Sequence, residues 1–337
     1  MRLALISPYA TGPLRGNIIT VQRIASFLDA AEAVTITLAA DRYTLPEMQA
    51  QLADFKPDLI HGFHAHYCGS IVQHLARQLQ IPSVITITGS DLHDPQLRTH
   101  PTMITGIESA DAIVCFHAND ADTLTGFFPK LRERVTVVPQ GVEALPVTGE
   151  DHFGIAHEAF VLLLPAALRP VKQVEFPIQA LSNLAEGDPT LQLVIAGGVI
   201  DNDYAAAIRL LLSAFPLARW LGEVPHERMG DLYSRADLVL NCSRSESMSN
   251  SLMEAMALGK PVLASDIPGN RSLVQNGDNG WLYDSEADLR KKITQIRGNA
   301  SLRQTTGERA REYMQKKFSP WEEAKGYLSL YRRLVIK

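Results

Sequence analysis

The chain has 337 residues, 46% of them hydrophobic and 20% charged, with a net charge of −5 at neutral pH. That length suggests two domains, each large enough to bury a full core without help from disulfides or metals, and the acidic balance argues against a general nucleic-acid binder. The three cysteines, Cys68, Cys115 and Cys242, lie in or beside apolar runs with no Cys-x-x-Cys pair, and read as buried free thiols of a reducing compartment.

The N-terminus reads as a first strand, too short for a signal segment. In the first half the candidate strands are Leu3–Ser7, Val34–Leu38, Leu59–Gly62, Ser83–Thr88, Ala112–Phe116 and Val135–Pro139. Amphipathic stretches such as Ile19–Ala31, Leu45–Phe55 and Gly69–Gln80 separate them. Strands alternating with helices predict a parallel sheet covered on both faces. Gly141–Asp151 mixes glycine, proline and acids and reads as a linker.

The same rhythm then repeats with Phe160–Pro165, Leu191–Ala196, Ala218–Leu221, Leu238–Cys242, Pro261–Ala264 and Gly280–Tyr283. Many of these are unbroken apolar runs, as central parallel strands require. The tail, Ser319–Lys337, reads as a helix carrying Trp321, Tyr327 and Tyr331. The expected fold class is α/β, with two Rossmann-like doubly wound domains facing a cleft lined by loops at the carboxyl ends of strands. Residues 1–145 form the first domain and 150–318 the second, with a final helix over 319–337 free to cross back to the first. No apolar run reaches the length of a membrane span, and the expected address is the cytoplasm.

The stretch Ser243–Gly259 carries the most information. Glu246 and Glu254 stand eight residues apart, with small polar residues and a helix start between them. Asn250 or Ser251 is placed to cap that helix, which Gly259 stops. The amides around Ser249–Ser251, with the helix dipole, suit a diphosphate, and a carboxylate on either side can hold sugar hydroxyls. Ser251 and Glu254 also spell a capping box, which accounts for Glu254 without any ligand. Glu246, just ahead of the helix, has no such structural explanation.

Upstream, Arg169 and Lys172 occupy the loop after a strand, where two cations fit a diphosphate leaving group; such pairs are also common on solvated surfaces. Leu221-Gly222-Glu223-Val224-Pro225 is a turn in which Gly222 lets backbone approach a flat base closely, or simply a turn. No Gly-x-Gly-x-x-Gly follows the first strand, so a Rossmann dehydrogenase is disfavoured.

Taken in order, Arg169 and Lys172, Leu221–Asp237, Asn241–Glu246 with Glu254 and Gly259-Lys-Pro-Val, Asp266-Ile-Pro-Gly-Asn270 and Asn276-Gly-Asp-Asn-Gly-Trp-Leu resemble the nucleotide-binding half of retaining GT-B glycosyltransferases of the "glycosyl transferases group 1" type. The resemblance is strong over about residues 160–290 and weaker in the first half. Gly16-Asn17-Ile-Ile-Thr-Val-Gln-Arg23, Thr88-Gly-Ser-Asp91, Leu168–Lys172 and Ile267-Pro-Gly-Asn270 are similar to the branch containing glycosyltransferase 1 domain-containing protein 1, with the selenosugar synthases a neighbouring group.

The resemblance implies that Arg169 and Lys172 bind the donor pyrophosphate and that Glu254 holds the ribose hydroxyls. It puts Glu246 on hydroxyls of the donor sugar, with Ser247, Met248, Ser249, Asn250 and Ser251 around phosphates and sugar. Gly222 and Val224 would face the base, and Gly16 and Asn17 would lie near the donor phosphates. The Arg-to-Lys loop is shorter than in many relatives, with only two residues between. A nucleotide sugar, by resemblance a UDP-sugar, is implied as substrate, with no cofactor and no metal.

Asp58–Gly69 holds three histidines, His61, His64 and His66. His-x-His invites a metal reading, but no carboxylate or cysteine cluster accompanies it, and packed core histidines are the competing view. By resemblance His64 faces the donor sugar, with His66 as second choice. Asp91 of Thr88-Gly-Ser-Asp91 can bind an acceptor group or assist its deprotonation, or cap the next helix. Asp120-Ala-Asp122 and Asp201-Asn-Asp203 match a metal-binding Asp-x-Asp of a different fold, a spacing too cheap to carry weight.

The expected activity is transfer of a sugar from a nucleotide sugar to an unknown acceptor with retention of configuration. Selenosugar synthesis, sugar-nucleotide epimerisation and a non-enzymatic nucleotide-sugar-binding protein are the alternatives. The basic pairs Lys316-Lys317 and Arg332-Arg333 allow weak peripheral membrane contact, though a solvated helix face explains them better.

Overall fold

The computed structural model describes residues 1–10, 16–150, 153–185 and 190–336. Asp151 of the expected linker and Lys337 of the expected tail lie outside the described residues. The chain divides into two compact units, Met1–Gly141 with Phe318–Lys337, and Val142–Lys317.

The first unit runs β1 (Arg2–Ser7), α1 (Gly16–Ala30), β2 (Val34–Ala39), α2 (Leu45–Phe55), β3 (Leu59–Phe63), α3 (Ala65–Leu79) and β4 (Ser83–Thr86). Three short helices follow, α4 (Ser90–His93), α5 (Pro95–Arg98) and α6 (Pro101–Ser109), then β5 (Ala112–Cys115), α7 (Ala118–Phe127) and β6 (Val135–Val137). The strands form one parallel sheet in the order β2-β1-β3-β4-β5-β6. Alternation along β1 feeds both faces: Leu3 and Leu5 join one core, Ala4 and Ile6 the other.

The second unit runs β7 (Phe160–Pro165), α8 (Glu175–Ala185), β8 (Leu191–Ala196), α9 (Asn202–Ala214), β9 (Ala218–Trp220), α10 (His226–Arg235) and β10 (Leu238–Asn241). It continues with α11 (Asn250–Ala257), β11 (Val262–Ser265), α12 (Pro268–Arg271), β12 (Trp281–Tyr283), α13 (Glu286–Arg297) and α14 (Ala300–Lys317). Its sheet is again parallel, ordered β12-β11-β10-β7-β8-β9. Every expected strand is present, with ends within two residues of the expected ones. One helix differs in a way that matters: α3 begins at Ala65 rather than Gly69, because the Asp91 carboxylate accepts the Ala65 amide at 2.8 Å. His66 therefore lies in the first turn of a helix.

Segment 142–150 is without helix or strand and belongs to the second unit. Asp231 of α10 pins it by accepting the amides of Thr148 at 2.7 Å and Gly149 at 3.0 Å. Gly230 allows the approach, since a Cβ there would meet the Pro146 carbonyl oxygen at 1.9 Å.

The last helix, α15 (Pro320–Val335), packs in the first unit. Its buried stripe of Glu323, Ala324, Tyr327, Leu328 and Tyr331 follows helical spacing. Tyr327, Leu328 and Tyr331 join the same core as α1, Leu3 and Leu5. One member of the stripe is charged, and it is matched: Arg23 of α1 donates from Nε and Nη2 to the two oxygens of Glu323, each at 3.0 Å. Such a two-pronged geometry is the strong form of the pair. The Tyr331 hydroxyl lies 2.6 Å from His61 Nδ1, and His61 Nε2 lies 2.7 Å from the Thr86 hydroxyl. Burial pushes the His61 imidazole down to about 3, so it stays neutral. His61 is thus an interior residue that joins the sheet to α15.

Glu323→Ala leaves Arg23 buried without a counter-ion and is expected to cost about 3–5 kcal/mol. The double variant Arg23→Met with Glu323→Leu, which removes both charges, should recover most of it. Urea unfolding followed by circular dichroism checks both. A loss below about 1 kcal/mol for the single variant would mean the pair does not hold α15.

Candidate functional site

In an open parallel sheet, ligands bind at the carboxyl ends of the strands where the chain reverses its direction of travel across the sheet. In the second sheet that point is between β7 and β10, since the chain goes from β7 outward to β8 and β9, then returns to β10 on the other side. The loop leaving β7 carries Arg169 and Lys172, and the loop leaving β10 carries Glu246. Sequence places these residues 74 positions apart at the ion pair, and the fold joins them.

The Lys172 ammonium sits 2.5 Å from Glu246 Oε1, with side-chain exposures of 16% and 12%. The Asn241 amide at 3.2 Å and the Ser243 hydroxyl at 2.6 Å donate to the same oxygen. Burial pushes the Glu246 carboxyl up; the Lys172 charge and the three hydrogen bonds outweigh this and hold it below the usual range. A backbone bond from the Arg244 amide to the Val171 carbonyl, 2.9 Å, ties the two loops a second time. The sequence reading found no structural requirement for Glu246. The structure corrects this, for Glu246 is the centre that fixes both loops.

A turn after β11 supports that centre. Gly269 lies so close that a Cβ would come within 2.0 Å of the Glu246 carbonyl oxygen. Asn270 is fully buried and donates to the Asn241 side-chain oxygen at 3.1 Å and the Ser265 carbonyl at 2.9 Å. Asn241, Ser243 and Asn270 received no individual role from sequence. Their only signal was membership of the Asn241–Glu246 and Asp266–Asn270 motifs.

Arg169 precedes a 3-10 turn, Pro170–Lys172, and is half-buried. Its Nε is shut off from solvent and has no hydrogen-bond partner. A buried donor left this way costs about 1–3 kcal/mol, a cost that an anion at this loop would remove.

Helix α11 is capped by Ser249, whose hydroxyl accepts the Leu252 amide at 3.4 Å, not by Asn250 or Ser251. The shift has a cause: the Asn241 amide also donates to Ser249 Oγ, at 3.1 Å, fixing that hydroxyl beside Glu246. Ser247 and Met248 are buried between the two, while Asn250 and Ser251 are half-buried.

The capping box proposed for Ser251 and Glu254 does not form around Ser249. Glu254 turns toward α10 instead: the Tyr233 hydroxyl donates to Oε2 at 2.9 Å, and His226 Nε2 lies 2.9 Å from Oε1. Glu254 is 7% exposed and Tyr233 fully buried. The hydrogen bond to Glu254 raises the His226 pKa against the opposing effect of burial, with the charges of Glu254 and Glu227 adding to the rise. Sequence reasoning passed over His226 and Tyr233, whose partner lies one strand away. Gly222 has φ of +77°, in the region that favours glycine, and open space where a side chain would stand. Val224 just beyond it is buried.

The first sheet has its own reversal between β1 and β3. His64 follows β3 in a left-handed conformation, φ +77°, that a non-glycine residue adopts only under constraint. It is buried, with Nε2 2.9 Å from the Ser90 hydroxyl; Nδ1 has no hydrogen-bond partner and lies 4.0 Å from Asp91. Burial lowers its pKa more than Asp91 raises it. Asp91 is 0% exposed and accepts the amides of Ala65, Thr88 and Gly89. The expectation that Asp91 binds an acceptor or takes its proton does not fit this placement, in which the carboxylate is committed to organising two loops. His66 is half-buried beside Thr102 and His100, and burial with the neighbouring imidazoles lowers its pKa. Gly16 and Asn17 open α1; the residues before them, 11–15, lie outside the described residues.

Asp120 is buried against His93, and Asp201 caps α9. Among the described residues no group of three or more His, Cys, Asp or Glu side chains is arranged to hold a metal ion. None of the described helices is long and apolar enough to cross a membrane.

Residues 150–313 match the family model "Glycosyl transferases group 1", and residues 21–144 match "Glycosyltransferase Family 4". The chain is 25% identical to glycosyltransferase 1 domain-containing protein 1 of Xenopus tropicalis over 338 aligned positions, covering 95% of each chain. It is 25% identical to N-acetyl-alpha-D-glucosaminyl L-malate synthase of Bacillus anthracis, covering 80% of this chain and 73% of that one. Among solved structures, sucrose-phosphate synthase from Thermosynechococcus elongatus superimposes with a TM-score of 0.81 at 20% identity, covering 99% of both chains. Anabaena Alr3699/HepE, solved in complex with UDP-glucose, gives 0.80 at 17% identity, covering 99% of this chain and 100% of that one. The fold is the GT-B fold.

Because the folded-state pKa of His226 is raised, its bond to Glu254 stabilises the second unit fully below the ordinary histidine value near 6.5. That contribution is lost as pH rises through the higher folded value. Urea midpoints measured across this range should fall with pH for the native chain and fall less steeply for His226→Gln. Equal slopes would mean the bond carries no linkage.

Proposed function

We propose that this GT-B glycosyltransferase moves a sugar from a nucleotide sugar, with UDP as the nucleotide, to a hydroxyl acceptor, retaining the anomeric configuration and using no metal. The observation that carries the reading is the meeting, at the reversal point of the second sheet, of Lys172, an Arg169 whose Nε lacks a partner, and the capped start of α11 around one fixed carboxylate. Structural neighbours solved with UDP and UDP-glucose, and the family matches, support the choice of donor.

The residues then act as follows. Arg169 and Lys172 take the diphosphate, whose charge grows as the glycosidic bond breaks; preorganised cations that need not move are the effective form of such stabilisation. Amides at the start of α11, with Met248, Ser249, Asn250 and Ser251, surround phosphates and sugar. Glu246, kept ionised and immobile by its three donors, holds donor-sugar hydroxyls. Glu254 takes the ribose, and Gly222 and Val224 face the base. The acceptor attacks on the face from which the diphosphate leaves, and a diphosphate oxygen takes its proton. That chemistry needs no protein base, which agrees with an Asp91 bound up by backbone amides.

Incubation with UDP-sugars should release UDP, slowly by hydrolysis alone and faster with an acceptor, and NMR of the product should show the donor's anomeric configuration. Binding of UDP-sugar with neither hydrolysis nor transfer would make the protein a binder instead. Glu246→Gln, which keeps the size of the side chain, should lower turnover on the order of 100-fold with an unchanged circular dichroism spectrum. Arg169→Ala should weaken UDP binding about tenfold or more by calorimetry; unchanged affinity would remove Arg169 from the phosphate.

A further inference from the structure

Glu254 poses a problem that the donor-site reading does not resolve. A buried carboxylate beside a diphosphate repels it, and a flexible one has to be ordered when the ribose arrives. The structure supplies an answer to both. Tyr233 and His226 approach different oxygens, Oε2 and Oε1, from the same helix, α10. A carboxylate has about four lone-pair positions. With one on each oxygen already used, one on each remains, which matches two neighbouring hydroxyls.

We propose that His226 and Tyr233 position the Glu254 carboxylate for the 2′- and 3′-hydroxyls of a ribose, so that this pair sets the preference for a ribonucleoside diphosphate over its 2′-deoxy counterpart. The proposal rests on the donor-site reading and deepens it. Neither residue touches the ligand; both act through Glu254.

The two partners differ in what they contribute. Tyr233 is fully buried and burial with the Glu254 charge keeps it protonated at all working pH values. It is a fixed donor and gives orientation only. His226 is half-buried, its side chain more exposed than the carboxylate it meets. When protonated it also offsets the Glu254 charge, and the charges acting on it are Glu254 from α11 and Glu227 from its own helix. Loss of the His226 proton leaves Glu254 uncompensated beside an anionic ligand, so affinity for the diphosphate should fall as pH rises past the histidine's folded value.

A site that orients its carboxylate for a diol loses more when the 2′-hydroxyl is missing than one that does not, because a buried lone pair is left unmatched. The test is calorimetry of the intact chain with whichever of UDP, GDP and ADP binds best, and with its 2′-deoxy form, at pH 6 and pH 8.5. The native chain should prefer the ribonucleotide about tenfold or more. Tyr233→Phe should weaken ribonucleotide binding while leaving the deoxy form little changed, and His226→Ala should weaken both forms at pH 6, through the lost charge, but the ribonucleotide more, so that each variant collapses the preference. His226→Gln, which still presents a donor, should restore the preference without the pH dependence. Retention of the native ratio by both His226→Ala and Tyr233→Phe would overturn the proposal, and so would a native chain that binds the two nucleotides equally; in either case the nucleotide site itself would stand. A native chain that binds none of the three would remove the donor-site reading and this proposal together.

Discussion

The second unit depends on one ion pair spanning the reversal of its sheet. Lys172 and Glu246 leave neighbouring strands that the chain reaches far apart in time, and their contact closes the gap between the loops. Taking two charges out of water costs several kcal/mol per ion, and attraction offsets that only where further hydrogen bonds complete the geometry. Asn241 and Ser243 provide those bonds on the carboxylate. The arrangement is therefore expensive as a stabilising device. A well-packed apolar pair of similar volume is often at least as stabilising, so charge at this position agrees with the role proposed for it toward a ligand.

The first unit shows a contrasting use of buried charge. Arg23 and Glu323 are also paired, but between two helices packed in the first unit, in two parallel hydrogen bonds with almost no solvent contact. The effect of the pair is to fix where α15 lies on α1, and Tyr331 with His61 does the same toward the sheet. Specific partners of this kind select one seating of a helix among several that apolar packing alone would tolerate.

Strand positions were readable because each is a run of apolar residues whose burial is decided locally, as in Phe160–Pro165 and Leu191–Ala196, where expected and observed ends coincide. What was not readable is who holds whom. Glu254 fitted a capping box by spacing, yet Tyr233 and His226, 21 and 28 residues earlier, offered it better donors. Ser249 rather than Asn250 capped α11 because Asn241 fixed its hydroxyl. Asp91 read equally as an acceptor-side residue or a cap of the next helix, and the Ala65 amide, 26 residues away, joins the local amides of Thr88 and Gly89 on its carboxylate. In each case the deciding atom lies outside the local window, so periodicity and motif spacing do not contain it. The positions of the site were legible and their internal bonding was not.

That distinction changes which carboxylate is informative. Before the fold is known, Glu246 looks like the residue that only a ligand explains, and Glu254 like a cap. With the fold in hand, Glu246 has all of its visible partners on one oxygen, whereas Glu254 has one donor on each. Convergence on one oxygen immobilises a carboxylate through a single anchor and leaves the other oxygen to turn toward a substrate hydroxyl. One donor per oxygen fixes the carboxylate plane and keeps two symmetric acceptors. The first geometry suits a single contact that must form at a reacting sugar, and the second suits a diol held in one orientation. The way their neighbours donate to the two glutamates thus agrees with the different roles proposed for them on one nucleotide-sugar ligand.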